Sequence, residues 1–272
     1  MDYGYQLLRH IVHQVFGNLL TAARITLVLA LIPIGILLAT NPGVLTGGAF
    51  AYDPTAPSDD FSGMALIGIL LALLTGVICW LWAAVAWHRF VLLEEYPTGI
   101  FPAWRGSNIG NYFGNSLLIG LIMFGLGFAF GIGIALLSIG IQSEALAIFL
   151  LIGLVFGLSW VATRIGLILP AAAIGERLGI GESWRATAPV AGQIILPIFV
   201  LALASTILNQ AIIVLFAETA AALPDDFFAQ QQVTLSWAGT ILSLIVTWLQ
   251  MLLNLALMTT LYGNLIEGRQ LN

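Results

Sequence analysis

The sequence predicts an all-α integral membrane domain: six transmembrane helices as three hairpins, an interfacial amphipathic helix before them, and both termini cytoplasmic. Three observations carry that expectation. Of the 272 residues, 8% are charged and 60% hydrophobic, whereas a soluble domain has about 25% charged residues. Such a chain has no polar coat to present to water, so lipid must be most of its solvent. Six apolar runs each approach the ~20 residues that a bilayer core requires. All eight arginines, finally, fall in one alternate set of loops, and the other set carries only acidic charge.

Residues 5–20 read as the amphipathic helix. Leu8, Ile11, Val12, Val15, Phe16 and Leu19 recur at helical spacing on one face, and Gln6, Arg9, His10, His13, Gln14 and Asn18 take the other. Such a helix can lie in the headgroup region or pack on a partner. A cleaved signal would begin with a short basic leader, so the first span is expected to be retained.

The apolar runs fall at about 23–40, 64–87, 115–140, 145–163, 194–217 and 237–262, and 1–272 is expected to be one membrane domain. The loop over 41–62 is long and rich in Gly and Pro. A turn at Gln142-Ser143-Glu144 makes spans three and four antiparallel neighbours. Gly127-x-x-x-Gly131 and Gly153-x-x-x-Gly157 predict that these two pack tightly. Pro33 should interrupt span one, and Pro197 should kink span five.

Orientation follows from the loops. Asp53, Asp59, Asp60, Glu144, Glu218, Asp225 and Asp226 share one side, and all eight arginines fall on the other. Arginine is retained in the cytoplasm during insertion, so both termini are expected inside. Trp104-Arg105 and Trp184-Arg185 precede spans three and five, each with a glycine (Gly114, Gly192) before the apolar run. Arg89 and Arg164 mark the exits of spans two and four. This predicts three hairpin units of one orientation, unlike inverted transporter repeats; the first unit lacks the Trp-Arg pair.

The candidates for chemistry are few. No phosphate loop, nucleophile elbow, HExxH or Cys/His cluster appears, and Cys79 is the lone cysteine. The arginines are too scattered for a nucleic-acid stripe. No Asp, Glu or Lys falls within a span, which disfavours a proton-coupled transporter. Arg89 and Arg164 read first as anchors that snorkel to headgroups. The sharper reading is an anion or lipid-phosphate contact, since guanidinium offers a bidentate fork. Glu94-Glu95 and Glu176-Arg177 read as solvated helix ends pairing with nearby arginines, not as catalytic dyads. His10 and His13 could share one helical face but lack further metal ligands, and His88 is a lone histidine at a span exit. Trp80, Trp82, Trp87, Trp104, Trp160 and Trp184 fit an aromatic belt. Asn209 and Gln210 in span five, with Gln250 and Asn254 in span six, are the deep polar groups. Hydrogen bonding between the two helices is the first reading and a polar substrate cavity the second.

The run Arg164…Leu169-Pro170-Ala171…Glu176…Gly179…Ser183-Trp184, closed by Thr259-Thr260-Leu261-Tyr262-Gly263-Asn264-Leu265, resembles the six-span membrane-domain group of glycerophosphoryl diester phosphodiesterases and related bacterial inner-membrane families. The resemblance covers roughly 160–268. It implies the fold, the inner membrane, and lipid-phosphate contact near Arg164 and Arg185. The group's phosphodiesterase activity belongs to a soluble barrel, which these residues do not form, so no catalysis carries over. The expectation is a non-catalytic protein without metal or cofactor, an accessory or scaffold protein whose partners are membrane lipids or a membrane protein complex and not nucleic acid. The alternative is a transporter or lipid-handling protein.

Overall fold

The computed structural model describes residues 3–41, 63–141, 143–219 and 233–271. Among the described residues six helices are long and apolar enough to cross a membrane, and the chain is a multi-pass α-helical membrane protein. In order, α1 (Tyr3–Phe16) leads into α2 (Leu19–Thr40), α3 (Gly63–Leu93), α4 (Gly106–Ile141) and α5 (Glu144–Ile165). Two short helices follow, α6 (Ile168–Ile174) and α7 (Ile180–Ala186), then α8 (Ile195–Phe216) and α9 (Trp237–Leu265). Strands β1 (Ala217–Thr219) and β2 (Val233–Leu235) pair antiparallel between α8 and α9, with Ala217 opposite Leu235. This three-residue ribbon is a minor addition to an otherwise all-α fold. Most of the 41–62 loop, including Asp53, Asp59 and Asp60, lies outside the described residues, as do Asp225 and Asp226.

Burial concentrates at the end of the bundle that holds both termini. The core there joins Leu7, Ile11 and Val15 of α1 to Ile25 of α2, Trp87 of α3, Tyr112 of α4, Ala171 of α6 and Leu252 and Leu261 of α9. Toward the far end α4 and α5 expose Leu121, Phe124, Phe128, Phe149 and Val155. That asymmetry suits a bilayer, where apolar side chains gain little by leaving the tails for one another.

At the centre of the core is α6. Its sequence, Ile168-Leu169-Pro170-Ala171-Ala172-Ala173-Ile174, places Pro170 in the first turn, where the missing N–H costs nothing. The alanines form helix readily and let neighbouring helices approach closely. Gly175 ends the helix in the left-handed region at φ 91°, a conformation glycine adopts without a Cβ penalty. Seven residues are too short to be helical alone, and packing on α3, α4 and α9 supplies the remainder.

Several boundaries differ from the sequence expectation, for physical reasons. Helix α4 begins at Gly106, about nine residues before the expected span, because Asn108 and Asn115 lie against α6. Polar residues there meet protein carbonyls, so hydropathy misses them. Pro197 sits in the first turn of α8, where it starts the helix. The paired glycines of α4 and α5 do not make the tight contact expected: a Cβ on Gly131, Gly153 or Gly157 would meet nothing within 4 Å, and one on Gly127 would meet Leu158 at an ordinary 3.5 Å.

Helix α1 buries Gly4, Leu7, Ile11 and Val15 against α8 and α9, while Val12, Phe16 and Leu19 remain exposed. The apolar stripe is broader than one face, and its edge at Leu7 meets protein. The Tyr3 hydroxyl donates to Asn264 Oδ1 at 2.8 Å, and the Thr260 hydroxyl donates to Gln14 Oε1 at 3.3 Å. Those contacts span about 16 Å of α1 but about 6 Å of α9. The helix therefore lies across α9, not along it.

Candidate functional site

Arg164 occupies the last turn of α5, where a cation opposes the helix dipole. Its guanidinium carbon lies 3.5 Å from the Trp184 ring centroid and 4.9 Å from that of Trp160. Nε donates to Thr187 Oγ1 at 3.1 Å and Nη2 to the Trp184 carbonyl at 2.8 Å. In return the Ser183 hydroxyl donates to the Arg164 carbonyl at 2.6 Å. Arg164 is 6% exposed, and among the described residues no carboxylate pairs with it. Burying a cation without a counter-charge is costly. Two indole faces offset part of that cost. Neighbouring Arg185 is exposed on α7. Glu182, which could have neutralised this region, accepts from the Gly179 N–H at 2.7 Å at the head of α7.

Arg89 lies elsewhere. Its Nε and Nη2 donate to Glu95 Oε2 at 2.8 and 2.6 Å, and Nη1 donates to the Ala173 carbonyl at 3.2 Å. All three nitrogens thus bond within the protein, closing the carbonyl end of α6 together with Asn108, which donates to Ala172 and Ala173. The other Glu95 oxygen accepts from Arg105 Nε and Nη2 at 3.2 and 3.0 Å. Glu94 makes this possible. Its positive φ of 53° turns the chain back after α3, and the Glu95 N–H reaches the Arg89 carbonyl at 3.3 Å. Burial pushes the Glu95 carboxyl up, but hydrogen bonds and charge from Arg89 and Arg105 prevail and hold it below the usual carboxylate range.

His88, the lone histidine at a span exit, is fully buried. Nδ1 lies 2.7 Å from Thr259 Oγ1, and Nε2 lies 3.4 Å from the Tyr112 hydroxyl. Thr259 already donates to the Leu255 carbonyl at 2.6 Å, so its oxygen must accept from His88 Nδ1–H. In the neutral ring Nε2 then accepts from Tyr112. The chain of bonds ties α3, α4 and α9 together. Beside it, His10, Gln14, Thr260, Asn264 and Arg269 help to line a polar cavity of about 230 Å³.

The four span amides separate. Gln250 accepts from the Ser205 hydroxyl across the α8–α9 contact at 2.7 Å. Asn209 bonds within its own helix, donating to the Ser205 carbonyl at 2.9 Å. Gln210 and Asn254 are exposed on the surface of the bundle. Ser205, the residue that joins the two helices, carried no sequence signal, because a serine in a span is unremarkable until its neighbour is known. His13 is exposed and His10 half-buried, and among the described residues no group of three His, Cys, Asp or Glu is placed to hold a metal. Comparison of the chain with protein-family models, curated proteins and solved structures finds no match in any of the three.

Proposed function

We propose that this chain is a non-catalytic bacterial inner-membrane protein that acts as an accessory or scaffold protein and holds anionic lipid at Arg164 and Arg185. In this reading both termini are cytoplasmic, the six spans form three hairpins of one orientation, and the chain resembles the membrane-domain group named above. The observation that carries it is Arg164, a buried guanidinium flanked by indoles, with no carboxylate partner among the described residues. A phosphate at the headgroup level supplies the missing charge. Arg89 takes no part, since Glu95 and Ala173 already engage it. Helix α1 supports the interfacial placement: it crosses α9 and keeps Tyr5, Val12 and Phe16 exposed beside its protein-facing edge.

Native mass spectrometry of protein reconstituted with equal anionic and zwitterionic phospholipid tests this reading. Retention of the anionic lipid is expected, weakened about fivefold by Arg185→Gln, at roughly 1 kcal/mol per arginine near the surface. Equal retention of both lipids, or no response to Arg185→Gln, refutes it. The second reading is a transporter with a polar site between α8 and α9, favoured by the Ser205–Gln250 bond at span depth. It requires purified protein alone to move a solute across liposomes, and Asn209→Leu to abolish that flux while the protein remains folded.

A further inference from the structure

We infer that the polar side of the α8–α9 pair is a two-fold interface with a second copy of this chain. Gln210 and Asn254 are exposed and, among the described residues, neither makes a hydrogen bond. Thr206 and Thr247 are exposed beside them. At span depth the bilayer offers neither donor nor acceptor, so bare carboxamides there need a protein partner.

Their arrangement is not scattered. Ser205 and Gln250 mark the line along which α8 and α9 meet. At 3.6 residues per turn, Thr206 and Gln210 lie about 100° and 140° round α8 from Ser205, and Asn254 and Thr247 about 40° and 60° round α9 from Gln250. The two helices run antiparallel, so these rotations bring both sets to one side of the pair. The amides also sit at two levels. Gln210 is about 8 Å along α8 from Ser205, and Asn254 is about 6 Å the other way from Gln250, so about 14 Å of depth separates them.

Those two levels select the occupant. Copies inserted in the same direction and related by a two-fold axis along the membrane normal place every residue opposite its own depth. Asn254 then meets Asn254, and Gln210 meets Gln210. Each carboxamide is both donor and acceptor, so each pair is complementary to itself. An unrelated helix would need amides at both levels, and the patch has no charge by which a charged partner could recognise it. This inference stands apart from the lipid contact at Arg164.

The test is disulfide trapping of the full chain in native membranes. Cys79, the lone cysteine, is first replaced by Ala, and single cysteines are then placed by Asn254→Cys, Gln210→Cys and Leu208→Cys. Leu208 is exposed on the opposite side of α8. Oxidation is expected to yield a dimer of this chain from the first two and none from the third. Dilution of dye-labelled copies in liposomes, followed by energy transfer, should show Asn254→Leu weakening the dimer about three- to tenfold. Trapping at 208 but not at 254, a monomer at every site, a different protein captured at 254 and 210, or an Asn254→Leu dimer as tight as the wild type would each overturn the inference.

Discussion

Glu95→Gln tests the polar end of the bundle most directly. The carboxylate accepts four hydrogen bonds, two from Arg89 at 2.8 and 2.6 Å and two from Arg105 at 3.2 and 3.0 Å. The two arginines contribute unequally. The Arg105 side chain is 48% exposed, and an ion pair so well hydrated contributes about 0–1 kcal/mol. The Arg89 side chain is 14% exposed, and a hydrogen bond to a charged group in that setting contributes about 1.5–3 kcal/mol. Glutamine keeps an acceptor but loses the charge, so the substitution should cost about 2 kcal/mol near neutral pH. The sign of the pH dependence follows from the carboxyl's depressed value in the folded state. Such a group contributes its full stability above its unfolded pKa of about 4.3 and loses it as pH falls through the lower folded value. The wild-type advantage over Glu95→Gln should therefore persist at about pH 7 and shrink below about pH 4. Unfolding in detergent followed by tryptophan fluorescence measures it. A difference under about 0.5 kcal/mol, an equal cost from Arg105→Ala, or a gap that grows toward acid would refute the reasoning.

Four further substitutions test the packing. A Cβ on Gly4 would lie 2.6 Å from the Gln193 carbonyl oxygen, so Gly4→Ala should lift α1 from α8 at a cost of about 1–3 kcal/mol and speed amide exchange in α1. Gly131→Ala and Gly153→Ala should stay within about 0.5 kcal/mol of wild type; a loss above about 1 kcal/mol from either would restore the tight glycine contact between α4 and α5. Arg164→Ala removes two indole contacts and two hydrogen bonds, together about 3–4 kcal/mol, and should open residues 180–187 to proteolysis. Unchanged protection there would mean that Arg164 does not clasp α7.

Hydropathy made the spans legible, because a membrane helix must satisfy its own backbone and present apolar side chains over its whole length. It also set the limit. Helix α6 is as buried as any element here, yet Pro170, three alanines and Gly175 give neither a long apolar run nor a clear period. Asn108, one of its polar ligands, fell outside the expected third span, and Asn115 stood at that span's first position. In α1 the amphipathic pattern was visible, but the stripe is wide enough that Leu7 turned inward while Val12 and Phe16 stayed out. The Glu95 clamp was legible as a pairing of charges, whereas its geometry depends on the backbone reversal at Glu94. Depth could be read for the amides, but which of them face each other is a rotation about the helix axis. A span that is apolar on all sides has no polar stripe to mark that rotation.

The arginines explain a feature that composition leaves bare, namely eight Arg and no Lys. Arg89 reaches a carboxylate and the carbonyl of Ala173 at once. Arg269 donates to Glu267, to the Val91 carbonyl and to the Leu92 carbonyl, strapping the C-terminal tail to the end of α3. Arg164 lies against two indoles while donating from its edge. Each task needs a planar cation with donors pointing in several directions, and an ammonium, compact and strongly hydrated, meets none of them. Anchoring at the membrane surface would accept either residue. At these three positions the choice of arginine follows from contacts inside the protein, and Arg164→Lys should then resemble Arg164→Ala more than wild type.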